Sequence, residues 1–171
     1  MRNWEELIRN VSDFPKAGIQ FKDITTLLVN GPAFRDCIDE LAAQMQDVRA
    51  DLVVAPEARG FILGSALAYK LGCGFVPVRK PGKLPADTVR VVYDLEYGQD
   101  ELEMHRDAIQ PGQRVILSDD LLATGGSCRA VIELVHRMGG EVVACAFLVE
   151  LNDLLGRLVI DHDRVISLLQ V

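Results

Sequence analysis

Val142 to Val149 is an uninterrupted run of eight apolar residues. It is far shorter than the ~20 residues a helix needs to cross a bilayer. A run of this kind reads as a strand buried on both faces, because a half-exposed strand would alternate apolar and polar residues. Shorter runs occur at Leu52 to Ala55, Gly74 to Val78, Val115 to Ser118 and Val165 to Leu169. Helical patterns lie between them. Phe34, Cys37, Ile38, Leu41, Ala42 and Met45 recur at helical spacing, which predicts an amphipathic helix over about residues 33–47. A second helix is expected from Gly60 to Leu71, closed by Gly72, and a third from Ser127 to Met138, stopped by Gly139-Gly140. Buried strands alternating with helices imply an α/β fold: a parallel sheet flanked by helices on both faces.

The chain has 171 residues, enough for a single domain. With 49% hydrophobic and 25% charged residues, disordered and low-complexity classes are excluded. Eighteen basic against 25 acidic residues leave a net charge of −7. That surface repels nucleic acid and anionic membrane, so neither is expected as a partner. Cys37, Cys73, Cys128 and Cys145 form no C-x-x-C pair and read as reduced, mostly buried thiols. The opening MRNWEELIRNV lacks the apolar stretch of a secretory signal, so a cytoplasmic location is expected. His105, His136 and His162 fit no metal-ligand spacing, and Asp161-His162-Asp163 reads as a solvated turn.

Two stretches depart from the strand–helix alternation. Residues 12–30 are turn-rich, with FPKAGIQFKD at their centre. Residues 79–105 show Pro/Gly punctuation and then strand patterns around Thr88 to Tyr93 and Glu101 to His105, a hairpin-like excursion. Long excursions from a compact core are commonly functional.

The most informative segment is VILSDDLLATGGSCRAVIELV, from Val115 to Val135. It reads as a strand ending in Asp119 and Asp120, a loop from Leu121 to Gly126, and a helix. Backbone N–H groups of a Gly-rich loop at a helix N-terminus form an anion site. Thr124 and Ser127 add hydroxyls, and Gly125 and Gly126 permit close approach. Two adjacent carboxylates suit a diol. Phosphate plus diol describes a ribose 5-phosphate. The loop is neither a Walker A sequence nor a dinucleotide fingerprint.

This string resembles the ribose-phosphate loop of the type I phosphoribosyltransferase family, in the fuller form carried by its adenine-using members. Other stretches are similar to the same enzymes in the same order: FPKAGIQFKDITTLL (Phe14 to Leu28) to a base-binding hood, PEARGF (Pro56 to Phe61) to a pyrophosphate-side loop, and RKPGKLP (Arg79 to Pro85) with LEYG (Leu95 to Gly98) to a mobile catalytic loop. The resemblance spans nearly the whole chain. It implies one phosphoribosyltransferase domain over residues 1–171, with the hood at about 1–30 and the mobile loop at about 79–105. The implied reaction joins adenine to phosphoribosyl pyrophosphate, yielding AMP and pyrophosphate, in a homodimer. Mg2+ would travel mainly on substrate oxygens, with no dedicated protein ligands.

The resemblance also distributes roles. Ile19, Gln20, Phe21 and Lys22 would hold adenine, with Phe21 able to stack on the base. Gln20 stands where an apolar residue is expected and Ala17 where Pro is frequent. Asp119 and Asp120 would take the ribose, and Ala123, Thr124, Gly125, Gly126 and Ser127 the 5-phosphate. Arg59, Arg79, Lys80 and Lys83 would neutralise pyrophosphate. The segment from Arg79 to Arg90 carries +3, leaving −10 elsewhere. Glu96 aligns with a catalytic glutamate able to manage a proton at the imidazole part of adenine, and Tyr97 follows it.

Other readings compete. The same chemistry could serve hypoxanthine, guanine or xanthine, which the residues alone do not separate. A phosphoribosyltransferase fold serving as a transcriptional sensor would need a DNA-binding appendage, and no helix-turn-helix pattern or basic face is evident. Cys128 at a helix N-terminus could be a nucleophile, but no His or Asn is placed to serve it, so a packed thiol is expected.

Overall fold

The computed structural model describes residues 4–94 and 98–171. An antiparallel hairpin of β1 (Arg9–Ser12) and β2 (Gln20–Asp23) precedes a single helical turn, α1 (Thr25–Leu28). Then follow α2 (Gly31–Ala43), β3 (Leu52–Pro56), α3 (Arg59–Leu71) and β4 (Gly74–Val78). A second antiparallel hairpin joins β5 (Thr88–Asp94) to β6 (Gln99–His105). The chain closes with β7 (Arg114–Leu122), α4 (Gly126–Arg137), β8 (Glu141–Glu150), α5 (Gly156–Ile160) and β9 (Val165–Gln170).

The central sheet has five parallel strands in the order β4-β3-β7-β8-β9. Its strands sort their side chains by the period-two rule. Val53, Ile116, Ala144 and Ala146 pack with Leu41 and Met45 of the α2 side and Leu67 of α3. Their neighbours Val54, Leu117, Cys145 and Phe147 pack with Val131 and Leu134 of α4 and with Val91, Leu102 and Met104 of the second hairpin. Both faces are thus covered, which is why these strands read as continuous apolar runs.

α3 and α4 end where their sequences say, but α2 stops at Ala43 rather than 47, its later residues continuing as turns that still bury Met45. Asn30 caps α2, its Oδ1 accepting from the Ala33 N–H at 3.2 Å, with a proline in the first turn. The cap places the helix start two residues before the apolar pattern begins. Gly72 closes α3 in the left-handed conformation, φ 72°.

Two sequence expectations need correction. β7 does not stop at Ser118 but runs through both aspartates to Leu122, because β8 continues to pair with it as far as Leu122 and Glu150. The loop before α4 is correspondingly shorter, Ala123 to Gly125. The turn-rich stretch near the N-terminus supplies the turn and second strand of a hairpin, β1–β2, whose exposed and half-buried residues give no apolar alternation to read.

Strand order reverses beside β3. The connection through α3 leads outward to β4, while β7 returns to the other side of β3 and leads on to β8 and β9. The crevice beyond the carboxyl ends of β3 and β7 is therefore the topological switch point of the sheet, where such folds bind ligands.

The packing yields a stability test. Leu134 is fully buried between α4 and the sheet, whereas Leu154 is 46% exposed. Leu134→Ala should cost about 2–5 kcal/mol and Leu154→Ala less than about 0.5 kcal/mol, read as shifts of the urea unfolding midpoint at constant slope.

Candidate active site

Asp119 and Asp120 lie on β7 at the switch point. Asp120 is only 3% exposed. Burial, and then the charge of Asp120, pushes the Asp119 carboxyl well above the ordinary carboxylate range. Burial raises Asp120 too, opposed by the Arg59 guanidinium. The Asp119 Oδ1 accepts the Asp120 N–H at 2.8 Å. It also sits where a Cβ on Gly60 would come within 2.8 Å, so the first turn of α3 approaches the carboxylate by having no side chain there.

Arg59 joins this pair to the N-terminal hairpin. Its Nε is 3.0 Å from Asp120 Oδ2, an ion pair by distance whose alignment falls short of a hydrogen bond. Its guanidinium carbon lies 4.8 Å from the centre of the Phe21 ring, a cation–π contact. Phe14 meets the same ring edge-on at 5.1 Å. Phe21, Arg59 and Asp120 thus form one continuous contact from hood to sheet. Asp120 Oδ2, Arg59 Nη1 and Ser118 Oγ are buried with no hydrogen-bond partner among the described residues. Buried polar groups are ordinarily satisfied, so this cluster has unused capacity for a polar ligand.

The other hood residues divide by strand alternation. Ile19 is 42% exposed. Gln20 pairs across the hairpin, its Oε1 accepting from Ser12 Oγ at 3.1 Å. The Lys22 side chain lines a small cavity with Glu5, Ile8, Asn10, Val149, Leu169 and Val171. Successive side chains of a strand point to opposite faces, so Lys22 brings its backbone, not its ammonium group, beside Phe21.

The loop Ala123 to Gly125 leads into α4, whose first residues are Gly126 and Ser127. Gly125 occupies the N-cap at φ 82°, a conformation that disfavours any side chain, and α4 has no side-chain cap. Its first N–H groups are therefore available to an anion. Thr124 is exposed and Ser127 half-buried.

The basic segment is not an open field. Arg79 donates through Nε and Nη2 to Glu57 Oε2 at 2.9 and 2.7 Å, and the Lys80 N–H donates to Glu57 Oε1 at 2.8 Å. Burial alone would raise Glu57, but these donors outweigh it and hold the carboxyl below its ordinary value. Lys80 Nζ reaches Asp100 Oδ2 at 2.8 Å, and Arg90 Nε reaches the buried Glu103 at 2.9 Å. Lys83 is exposed, its carbonyl accepting from Arg79 Nη1 at 3.3 Å. The +3 of this stretch is largely matched by carboxylates that the fold brings in from elsewhere. Glu57, Asp100 and Glu103 escape a sequence reading of roles because their partners are distant in the chain. Glu57 alone had a signal, its place inside PEARGF.

Glu96 and Tyr97 lie outside the described residues. The Cys128 thiol is 1% exposed, and burial followed by the nearby Asp119 charge pushes it well above the usual thiol range. That is the opposite of an activated nucleophile. His162 shares a hydrogen bond with the Val142 carbonyl at 3.1 Å within its turn.

The phosphoribosyl transferase domain model matches residues 25–169. An adenine phosphoribosyltransferase of Clostridium perfringens is 60% identical over 153 residues, 90% of this chain and 89% of that one. The crystal structure of the adenine phosphoribosyltransferase from Thermoanaerobacter pseudethanolicus superposes with a TM-score of 0.96 at 53% identity, covering 98% of this chain and 97% of that chain. The chain belongs to the adenine phosphoribosyltransferases of this family. The Saccharomyces cerevisiae member, solved with adenine and D-2,5-dideoxy-2,5-imino-altritol 1,6-bisphosphate, has a TM-score of 0.91 at 37% identity over 98% of this chain and 97% of its own. The parallel sheet flanked by helices is the type I phosphoribosyltransferase fold. No described helix is long and apolar enough to cross a membrane.

Thiol reactivity separates the packed reading of Cys128 from the nucleophilic one. Iodoacetamide at about pH 8 should modify the half-buried Cys73 slowly and leave Cys37, Cys128 and Cys145 untouched until the chain unfolds. Peptide mass mapping would read this, and alkylation of Cys128 ahead of Cys73 would contradict the packing.

Proposed function

We propose that the chain transfers the phosphoribosyl group of phosphoribosyl pyrophosphate to adenine, releasing AMP and pyrophosphate in purine salvage. The observation that carries the reading is the Asp119–Asp120 pair, half-buried at Asp119 and buried at Asp120, unsatisfied at Asp120 Oδ2 and followed at once by a glycine loop and an uncapped helix N-terminus. A carboxylate pair beside an anion site suits one ligand bearing both a diol and a phosphate.

In this reading the ribose hydroxyls donate to Asp119 and Asp120, and the 5-phosphate accepts from the N–H groups and hydroxyls of Ala123 to Ser127. Adenine lies on the hood against Phe21, its edge read by backbone from Ile19 to Lys22. The C1′–O bond to pyrophosphate breaks as C1′–N9 forms, through a centre with oxocarbenium character near the two carboxylates. Glu96, with Tyr97 beside it, handles the proton on the imidazole part of adenine. Arg59, Arg79, Lys80 and Lys83 receive the leaving pyrophosphate, with Arg59, Arg79 and Lys80 exchanging their present carboxylate partners for phosphate oxygens. Closure of residues 79–105 excludes water, which would hydrolyse the donor.

A magnesium ion carried on the donor's oxygens supplies charge neutralisation at the leaving group. Such an ion would be held mainly by oxygens of the donor and of pyrophosphate, with no dedicated protein ligands. The whole chain serves as one catalytic domain, with the hood at about 1–30. Four cysteines outside any disulfide suit a reducing, cytoplasmic setting. Ile62 and Tyr69, 41% and 90% exposed on one face of α3, support a homodimer through that helix.

Turnover with magnesium, phosphoribosyl pyrophosphate and each of adenine, hypoxanthine, guanine and xanthine tests the reading. AMP formation from adenine alone is expected, and activity with xanthine but not adenine would overturn it. Glu96→Ala should lower kcat by about 10²–10⁴-fold.

The site's pH response follows from Arg59. Both aspartates are raised by burial, so the ionised pair is lost, as pH falls, earlier than for ordinary carboxylates. Arg59 opposes the rise at both. Arg59→Gln should therefore move the acid limb of kcat/KM for phosphoribosyl pyrophosphate to higher pH; a shift to lower pH would break the assignment.

A further inference from the structure

We propose that α5 braces the phosphate-binding loop from behind, and that Gly156, Arg157 and Glu150 are positioning residues for the donor's 5-phosphate. The inference rests on assigning that phosphate to Ala123 through Ser127. One side of the loop faces the ligand. The other side lies backbone to backbone against the start of α5. A Cβ on Gly156 would fall 2.1 Å from the Ala123 carbonyl oxygen. A Cβ on Gly125 would fall 2.5 Å from the Gly156 carbonyl oxygen and 3.0 Å from Val159 Cβ. Contacts that short do not exist, so neither position accepts a side chain unless loop or helix moves. Gly125 also needs its positive φ, but Gly156 is not among the positive-φ glycines. The demand at Gly156 is therefore contact alone.

A helix of five residues does not hold its own place. Arg157 holds it. Its Nε and Nη2 donate to the two carboxylate oxygens of Glu150 at 2.9 and 2.5 Å, and its Nη1 donates to the Val165 carbonyl at 2.8 Å. Ser167 Oγ adds a third donor to Glu150 at 2.7 Å. Glu150 ends β8 and is only 5% exposed, so the clamp is anchored in the sheet. The bidentate geometry fixes Arg157 in direction as well as distance. The clamp then runs from β8 and β9 through Arg157 to Gly156 and on to the Ala123 carbonyl. The orientation of the Ala123–Thr124 peptide sets where the next N–H groups of the loop point. Those N–H groups are the phosphate donors, and misplacing such a group by about 1 Å can cost on the order of 10²-fold.

Gly156→Ala, Arg157→Gln and Arg157→Lys test the brace, with Arg164→Gln as control, since the Arg164 side chain pairs with Asp47 and the Gln44 carbonyl rather than with Glu150 or the loop. Kinetics with adenine and phosphoribosyl pyrophosphate, and calorimetric titration with ribose 5-phosphate and with adenine, give the readout. Gly156→Ala should raise both the KM for phosphoribosyl pyrophosphate and the Kd for ribose 5-phosphate at least about tenfold, leaving the Kd for adenine within about twofold. Arg157→Gln should do the same more weakly, with Arg157→Lys recovering part of the loss. Arg164→Gln should lower Tm without moving either affinity. If Gly156→Ala does not fold, the two Arg157 variants decide. Ribose 5-phosphate affinity within about twofold of wild type, or equal losses for ribose 5-phosphate and adenine, would overturn the brace. A wild-type chain that binds no ribose 5-phosphate would instead overturn the loop's assignment, before any variant is made.

Discussion

Withdrawing two carboxylates on consecutive residues from water, Asp120 fully and Asp119 in part, is costly, and the top of the sheet is arranged around that cost. In the interior each charge loses water, and each repels the other. Arg59 offsets part of this, standing 3.0 Å from Asp120, and the start of α3 comes close enough to Asp119 only because Gly60 has no side chain. The compensation is incomplete: Asp120 Oδ2, Arg59 Nη1 and Ser118 Oγ keep no hydrogen-bond partner among the described residues. Hydroxyls of a bound sugar would satisfy what the chain leaves open. The strand order places this unfinished cluster at the one crevice where a parallel sheet exposes the ends of its strands.

The basic segment obeys the same economy of charge. Arg79, Lys80 and Arg90 each sit on a carboxylate drawn from another part of the chain, respectively Glu57, Asp100 and Glu103. Their charge is held as ion pairs in geometries suited to oxygen acceptors. Under the proposed assignment, a pyrophosphate arriving there would meet guanidinium and ammonium groups already oriented by oxygens of the same kind. The acidic surplus of the chain is thus part of how the cations are kept in place.

The core of the fold was legible because it rests on local pattern. Val142 to Val149 is apolar throughout since α2 and α3 cover one face and α4 the other, and the helix boundaries follow from Asn30, Gly72 and Gly139. The placement of the aspartates at a strand end and of the glycine loop before a helix was legible because both follow from residue types at close spacing. What escaped depends on contacts between distant residues. The N-terminal hairpin is short and at most half-buried, so nothing in its pattern declares a strand. The length of β7 is set by its partner β8 rather than by its own apolar run. Glu57 and Gly156 have meaning only beside Arg79 and Ala123, and no spacing in the chain announces those meetings.

Arg59 carries a consequence for how the two substrates sense each other. One guanidinium touches the aromatic platform of the hood at 4.8 Å and the ribose-side carboxylate at 3.0 Å. A ligand that draws Arg59 toward one of these contacts alters the other. The free energy of that exchange is shared between the two binding events, and linkage requires it to be reciprocal. If base and sugar bind at Phe21 and Asp120 as proposed, their occupancies are coupled through a single side chain, with no domain motion needed to transmit it.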